Sequence, residues 1–165
     1  MTTIEQPLLS RGVHSCPASP RPGTVVSPAV YVAVRWLGGR LLLVRRSPEE
    51  VWELPGGCVR VGETAIVAAV RTTAQQAGVQ VLITGIAGLF TAPGHLIRAP
   101  DGELRQQFAV LLHARAVGGV PHADLRETSR AEWVAVGDIS SLAMESSARV
   151  RVATAIAVGD PPYLG

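Results

Sequence analysis

The sequence predicts one α/β (α+β) domain, and three observations carry that expectation. Its 165 residues are 47% hydrophobic and 17% charged, the balance of a compact chain with a real core. β-rich runs recur from residue 29 to residue 136. Two further stretches, one central and one at the end, have helical character.

Taken in order, residues 1–25 combine prolines with Ser, Thr and Gly and show no sustained period, which reads as a flexible N-terminal arm, with the domain spanning 26–165. "AVYVAVRW" (29–36) and "RLLLVRR" (40–46) are strand-like runs around Leu37-Gly38-Gly39, a hairpin by turn chemistry. "SPEEVWELPGG" supplies a loop, a short strand and a glycine pair. Residues 64–77 lack Gly and Pro and stop at Gly78, as a helix does. A long strand follows from Val79 to Thr91, then a Pro-Asp-Gly turn at 100–102 and a second long strand. "AEWVAV" (131–136) gives the last strand, and 144–158 a closing helix with Met144, Ala148, Val152 and Ile156 at i+4 steps along one face. There are no internal repeats.

The charge pattern excludes several chemistries. All 15 basic residues are arginine, so a Schiff-base lysine, a lysine general base and a lysine phosphate loop are ruled out. A net charge of +2 with scattered arginines leaves no nucleic-acid footprint. No run approaches the ~18 apolar residues of a membrane span, and no secretory signal is visible, so a cytoplasmic protein without a membrane partner is expected. Two cysteines, Cys16 and Cys58, make no disulfide framework and read as reduced thiols.

"LLLVRRS…VWELPGGCVRVGE", followed by a helix bearing Arg71 and ending at Gly78, resembles the Nudix family, in whose box Gly57, Glu63, Arg71, Gly78 and Val79 find matching positions. "LFTAPGH", "GELRQQFAVLLHARAVGG", "ETSRAEWVAVGDIS" and "PYLG" extend the resemblance, which is to actinobacterial Nudix proteins, over most of the chain from Val26. It implies an α/β/α sandwich with a mixed central sheet. It also implies that the three metal-holding glutamates of the family fall at Thr72, Gln75 and Gln76, a degenerate box. Steps of three and four put these positions on one helical face. Mg²⁺ is a hard cation that wants anionic oxygen, and Thr and Gln bring none. No metal ligand and no cofactor are therefore expected, with Mg²⁺ or Mn²⁺ entering only through substitute acids.

Candidate catalytic residues are Glu53, Glu63 and His95. Glu53 lies on the strand leading to the glycines, where a partly desolvated carboxyl would have a raised pKa. Glu63 matches the glutamate beside the family's metal site, or shapes the loop before the helix. His95 lies on a loop between strands, and histidine is a residue type suited to acid/base work. Arg45, Arg105, Gln107 and Gln76 are the candidate ligand-binding residues; Arg105 and Gln107 share a strand face with His113. Cys58 reads as a small packing residue, Trp52 and Trp133 as packing aromatics, and Arg71 as the partner of a nearby acid. Three functions stay open: metal-independent acid/base chemistry on a small metabolite, non-catalytic binding or sensing of a small molecule, and weak hydrolysis of a diphosphate-linked substrate with relocated metal ligands. A homodimer is the candidate assembly.

Overall fold

The computed structural model describes residues 25–98, 102–157, 159 and 161–165. The expected arm lies outside these but for Val25, as do Cys16, Pro100 and Asp101 of the expected turn, and Val158 at the end of the closing helix.

The hairpin forms where turn chemistry placed it, between β1 (Val25–Trp36) and β2 (Arg40–Arg46), which run antiparallel. Two short strands, β3 (Trp52–Glu53) and β4 (Gly56–Cys58), pair antiparallel with β2 and β1 respectively. Helix α1 (Ala65–Ala77) leads into β5 (Val79–Phe90). Next come β6 (Leu96–Arg98), the long β7 (Leu104–Gly119) and β8 (Thr128–Ala135). A 3-10 turn (Val136–Ser141), helix α2 (Ser146–Ile156) and β9 (Tyr163–Leu164) finish the chain. The main strand order is β3-β2-β1-β7-β5-β9, with β8 on β2 and β6 on β7. β1 runs parallel to β7 through Val25–Arg35 against Arg105–Arg115, and antiparallel to β2, so the sheet is mixed.

Both faces of this sheet are covered, which explains why β1 reads as an unbroken apolar run rather than an alternating one. Val30, Val32, Val34, Leu42 and Val44 pack with Ala68, Ala69 and Ala77 of α1. Tyr31, Ala33, Leu41 and Leu43 point the other way and pack with Val152 and Ala155 of α2. Each such fully buried Val or Leu contributes roughly 1.5–3 kcal/mol of transfer free energy.

Helix α1 is capped at both ends, by a side chain at the start and by glycine backbone at the end. Thr64 Oγ1 accepts a hydrogen bond from Val67 N at 3.2 Å, an N-cap. Gly78 adopts φ 67° and donates its N–H to Ala74 O at 3.0 Å, and a Cβ there would lie 2.0 Å from the His122 ring. Only glycine satisfies both demands. No helix among the described residues is long and apolar enough to cross a membrane.

Candidate functional site

A cleft of about 440 Å³ opens where β3, β4, β6 and β7 meet the first half of α2. Its centre is Glu53. The register of β3 on β2 sets Glu53 opposite Val44, and the carboxylate lies between two guanidinium groups, Arg46 Nε at 3.2 Å from Oε1 and Arg151 Nη2 at 3.4 Å from Oε2. Burial pushes the Glu53 carboxyl above the usual carboxylate range, while Arg46 and Arg151 pull it back. The net direction is upward, so this acid takes up a proton more readily than one in water.

A chain of contacts continues from Arg151 across the cleft wall. The Arg151 guanidinium stacks over the Tyr31 ring at 3.9 Å from the centroid. Tyr31 donates its hydroxyl proton to Gln107 Oε1 at 3.2 Å, and His95 Nε2 lies 3.1 Å from the same oxygen. Since Gln107 Oε1 can only accept, His95 carries its proton on Nε2 in this arrangement. Burial raises the Tyr31 pKa, which keeps the phenol protonated as the donor. Arg98 of β6 adds another cation to the lining, and Glu49 and Glu145 add acids at its rim.

Glu53, His95 and Gln107 are thus brought together, and the other predicted site residues are not. Arg45 pairs with Glu50 at 2.8 Å and is absent from the cleft, where Arg46 stands instead. The β2–β8 register shifts at this point, with Arg45 opposite Arg130 and Arg46 opposite Thr128, so the extra residue, Ser129, lies on β8. Arg105 sits outside the cleft near the start of β7, 3.5 Å from Glu103. Glu63 is held by Arg71, with Nε–Oε1 at 2.6 Å and Nη2–Oε2 at 2.7 Å, and accepts from Arg60 N at 3.0 Å. These hydrogen bonds lower its pKa to about 2, so it is a fixed anion that ties the loop to α1. His113 lines a separate small cavity, where burial pushes its imidazole below the ordinary value.

Gln76, only 2% exposed, holds β4 by both amide atoms. Its Oε1 accepts from Gly56 N at 3.0 Å, and its Nε2 donates to Gly56 O at 2.8 Å and to Glu127 Oε2 at 2.9 Å. Gly56 approaches β1 so closely that a Cβ would meet Val30 O at 2.5 Å. Thr72 bonds back to Ala69 O at 3.2 Å, and exposed Gln75 accepts from Arg71 Nη1 at 3.3 Å.

The residues that sequence reasoning missed are Arg46, Arg98, Tyr31 and Arg151. Arg151 had a legible signal, because it shares the buried α2 face with Ala148, Val152 and Ala155 and is itself only 3% exposed. An arginine at helical spacing among core positions needs a partner, and Glu53 supplies it.

The description NUDIX domain matches residues 26–154 of this chain. The chain belongs to the Nudix family. A Bacillus subtilis protein named as an 8-oxo-dGTP diphosphatase is 32% identical over 98 residues, 59% of this chain and 59% of its own length. The chain spans 59% of the length of both curated relatives it matches. Among solved structures, an ADP-ribose pyrophosphatase from Streptococcus suis superposes with a TM-score of 0.67 at 16% identity, covering 84% of this chain and 98% of that one. The Nudix domain of Shewanella oneidensis NrtR, in complex with ADP ribose, gives 0.57 at 15%, covering 84% and 92%. At these identities the structures show the fold.

Membership of the Nudix family corrects the expectation that no cofactor is involved, since hydrolases of this family normally use a divalent metal ion. The α1 face of this Nudix domain does not fit one. Thr72, Gln75 and Gln76 bring no anionic oxygen, and the Gln76 amide is already committed to Gly56 and Glu127. Among the described residues no three His, Cys, Asp or Glu side chains are grouped as a metal site would need.

Proposed function

We propose that this Nudix domain binds a small nucleotide-derived ligand with a diphosphate in the Glu53 cleft, and that positions 72, 75 and 76 of α1 have lost the role of holding metal. The observation that carries this reading is the convergence of Arg46, Arg98 and Arg151 with His95, Gln107 and Tyr31 on one cleft. Guanidinium groups bind phosphate oxygens through paired charge-assisted hydrogen bonds, and the cleft volume falls within the ~300–1,000 Å³ of small-molecule sites. Glu53 offsets part of this positive charge in the free protein. When a phosphate arrives, the arginines turn to it, and the raised carboxyl takes a proton instead of remaining an unpaired anion beside the ligand. The names of the relatives, which carry 8-oxo-dGTP and ADP-ribose, support a nucleoside diphosphate as the ligand class.

Hydrolysis of that ligand with a divalent ion held by other carboxylates is the second reading, favoured by the diphosphatase name of the Bacillus subtilis relative. Isothermal titration of ADP-ribose, with and without Mn²⁺, tests both, with release of AMP followed in the same samples. Saturable binding at one site without product supports the binder. Metal-dependent AMP release establishes the hydrolase, and absence of binding in either condition overturns the nucleotide reading.

A further inference from the structure

A second cavity, of about 160 Å³, lies against the first, and His95, Ser147 and Arg151 line both. Its other walls differ in kind. Phe90 at the end of β5 and Tyr163 of β9 stack with ring centroids 4.7 Å apart and planes 25° from parallel, and Ala92 and Val150 face them from the loop and from α2. The space is too small for a whole ligand by the ~300 Å³ lower bound of small-molecule sites, yet it adjoins one large enough.

The shared wall is also the least satisfied polar group in this part of the molecule. Arg151 is 3% exposed, its Nη2 reaches Glu53, and its Nε is buried without a hydrogen-bond partner. A buried, unpaired guanidinium N–H is costly, so the Arg151 side chain is held in place by its packing and its Glu53 contact rather than by full hydrogen bonding. One side of Arg151 therefore faces charge, and the other faces an apolar, aromatic chamber.

We propose that the Phe90–Tyr163 cavity is the subsite for the aromatic ring of the ligand, with Arg151 as the divider between ring and diphosphate. This rests on the nucleotide reading of the adjoining cleft and adds to it where the base goes. The ring packs against the Phe90–Tyr163 pair and Val150, and an acceptor on the ring or its sugar meets the Arg151 guanidinium. A nucleoside diphosphate then spans both cavities, whereas pyrophosphate fills only the polar one.

The test is calorimetric titration of ADP-ribose and of pyrophosphate into the wild-type chain and two cavity-filling variants. Val150→Trp starts from a helix position that is 45% exposed, so a larger side chain has room to be accommodated. Ala92→Phe fills the same space from the opposite loop, and neither residue lines the polar cleft. Both variants are expected to weaken ADP-ribose roughly tenfold, the worth of one base stacked on an aromatic group, and to leave pyrophosphate affinity as in wild type. Retained pyrophosphate binding also shows that the variant is folded. ADP-ribose affinity unchanged in both variants, with pyrophosphate still bound, overturns the aromatic subsite and leaves the nucleotide reading standing. Wild-type protein that binds neither probe overturns both.

Discussion

The two sides of β4 are built on opposite principles. On the α1 side, Thr72 and Gln76 are buried, neutral and hydrogen-bonded, Thr72 to its own helix and Gln76 to Gly56. On the α2 side, Glu53 is buried between Arg46 and Arg151 beside an open cleft. One side is satisfied and closed. The other concentrates charge, a partnerless Arg151 Nε and space. On the reading proposed above, the helix keeps its caps and its glycine contacts as architecture, and ligand recognition lies across the strand.

Removing Arg151 should have the largest effect. Arg151→Met leaves Glu53 with Arg46 alone and strips the cation from the Tyr31 face, so a loss of about 3 kcal/mol in urea unfolding is expected, as for breaking a buried pair. A loss below about 1 kcal/mol would mean that the charged side is no more dependent on its partners than a surface pair.

Gln76→Ala probes the neutral side. It abandons both Gly56 backbone groups and Glu127, and should cost about 2 kcal/mol in the same measurement. ADP-ribose affinity should stay within about twofold if this side is architectural, a change of under about 0.5 kcal/mol.

The pH dependence of binding should separate the sides further. An anionic ligand beside Glu53 favours its protonated form, so binding takes up a proton and affinity falls as pH rises through the raised Glu53 pKa. Glu53→Gln should flatten that slope in titrations from pH 5 to 8. The smallest effect belongs to Glu63. Its pKa is lowered to about 2, below the ~4.3 of an unfolded glutamate, so the stability it contributes is present above that value and lost as pH falls toward 2. Glu63→Gln should lower stability at neutral pH and flatten the acid limb of a stability–pH curve.

Much of the fold was legible because it is written in local signals. The Leu37–Gly39 turn, the run without Gly or Pro that ends at Gly78, and the apolar strands each specify their element with short-range chemistry. Glu53, His95 and Gln107 were legible as candidates through their places on strand and loop. Arg46 was not, because nothing in the β2 sequence sets it apart from Arg45, and its ion pair with Glu53 forms only when β3 lies along β2. Tyr31 reads as core from its apolar neighbours. Its hydroxyl acquires a role only when β1 and β7, distant in sequence, lie parallel and bring Gln107 to it.

The most direct test compares ADP-ribose affinity in wild type, Arg46→Met and Gln75→Ala by isothermal titration. Arg46 lines the cleft, and Gln75 is the exposed member of the neutral α1 positions. The account expects Arg46→Met to weaken binding at least tenfold, about 1.4 kcal/mol for a lost charge-assisted phosphate contact, and Gln75→Ala to change nothing measurable. Loss of affinity in Gln75→Ala with none in Arg46→Met would contradict it, returning recognition to the helix face.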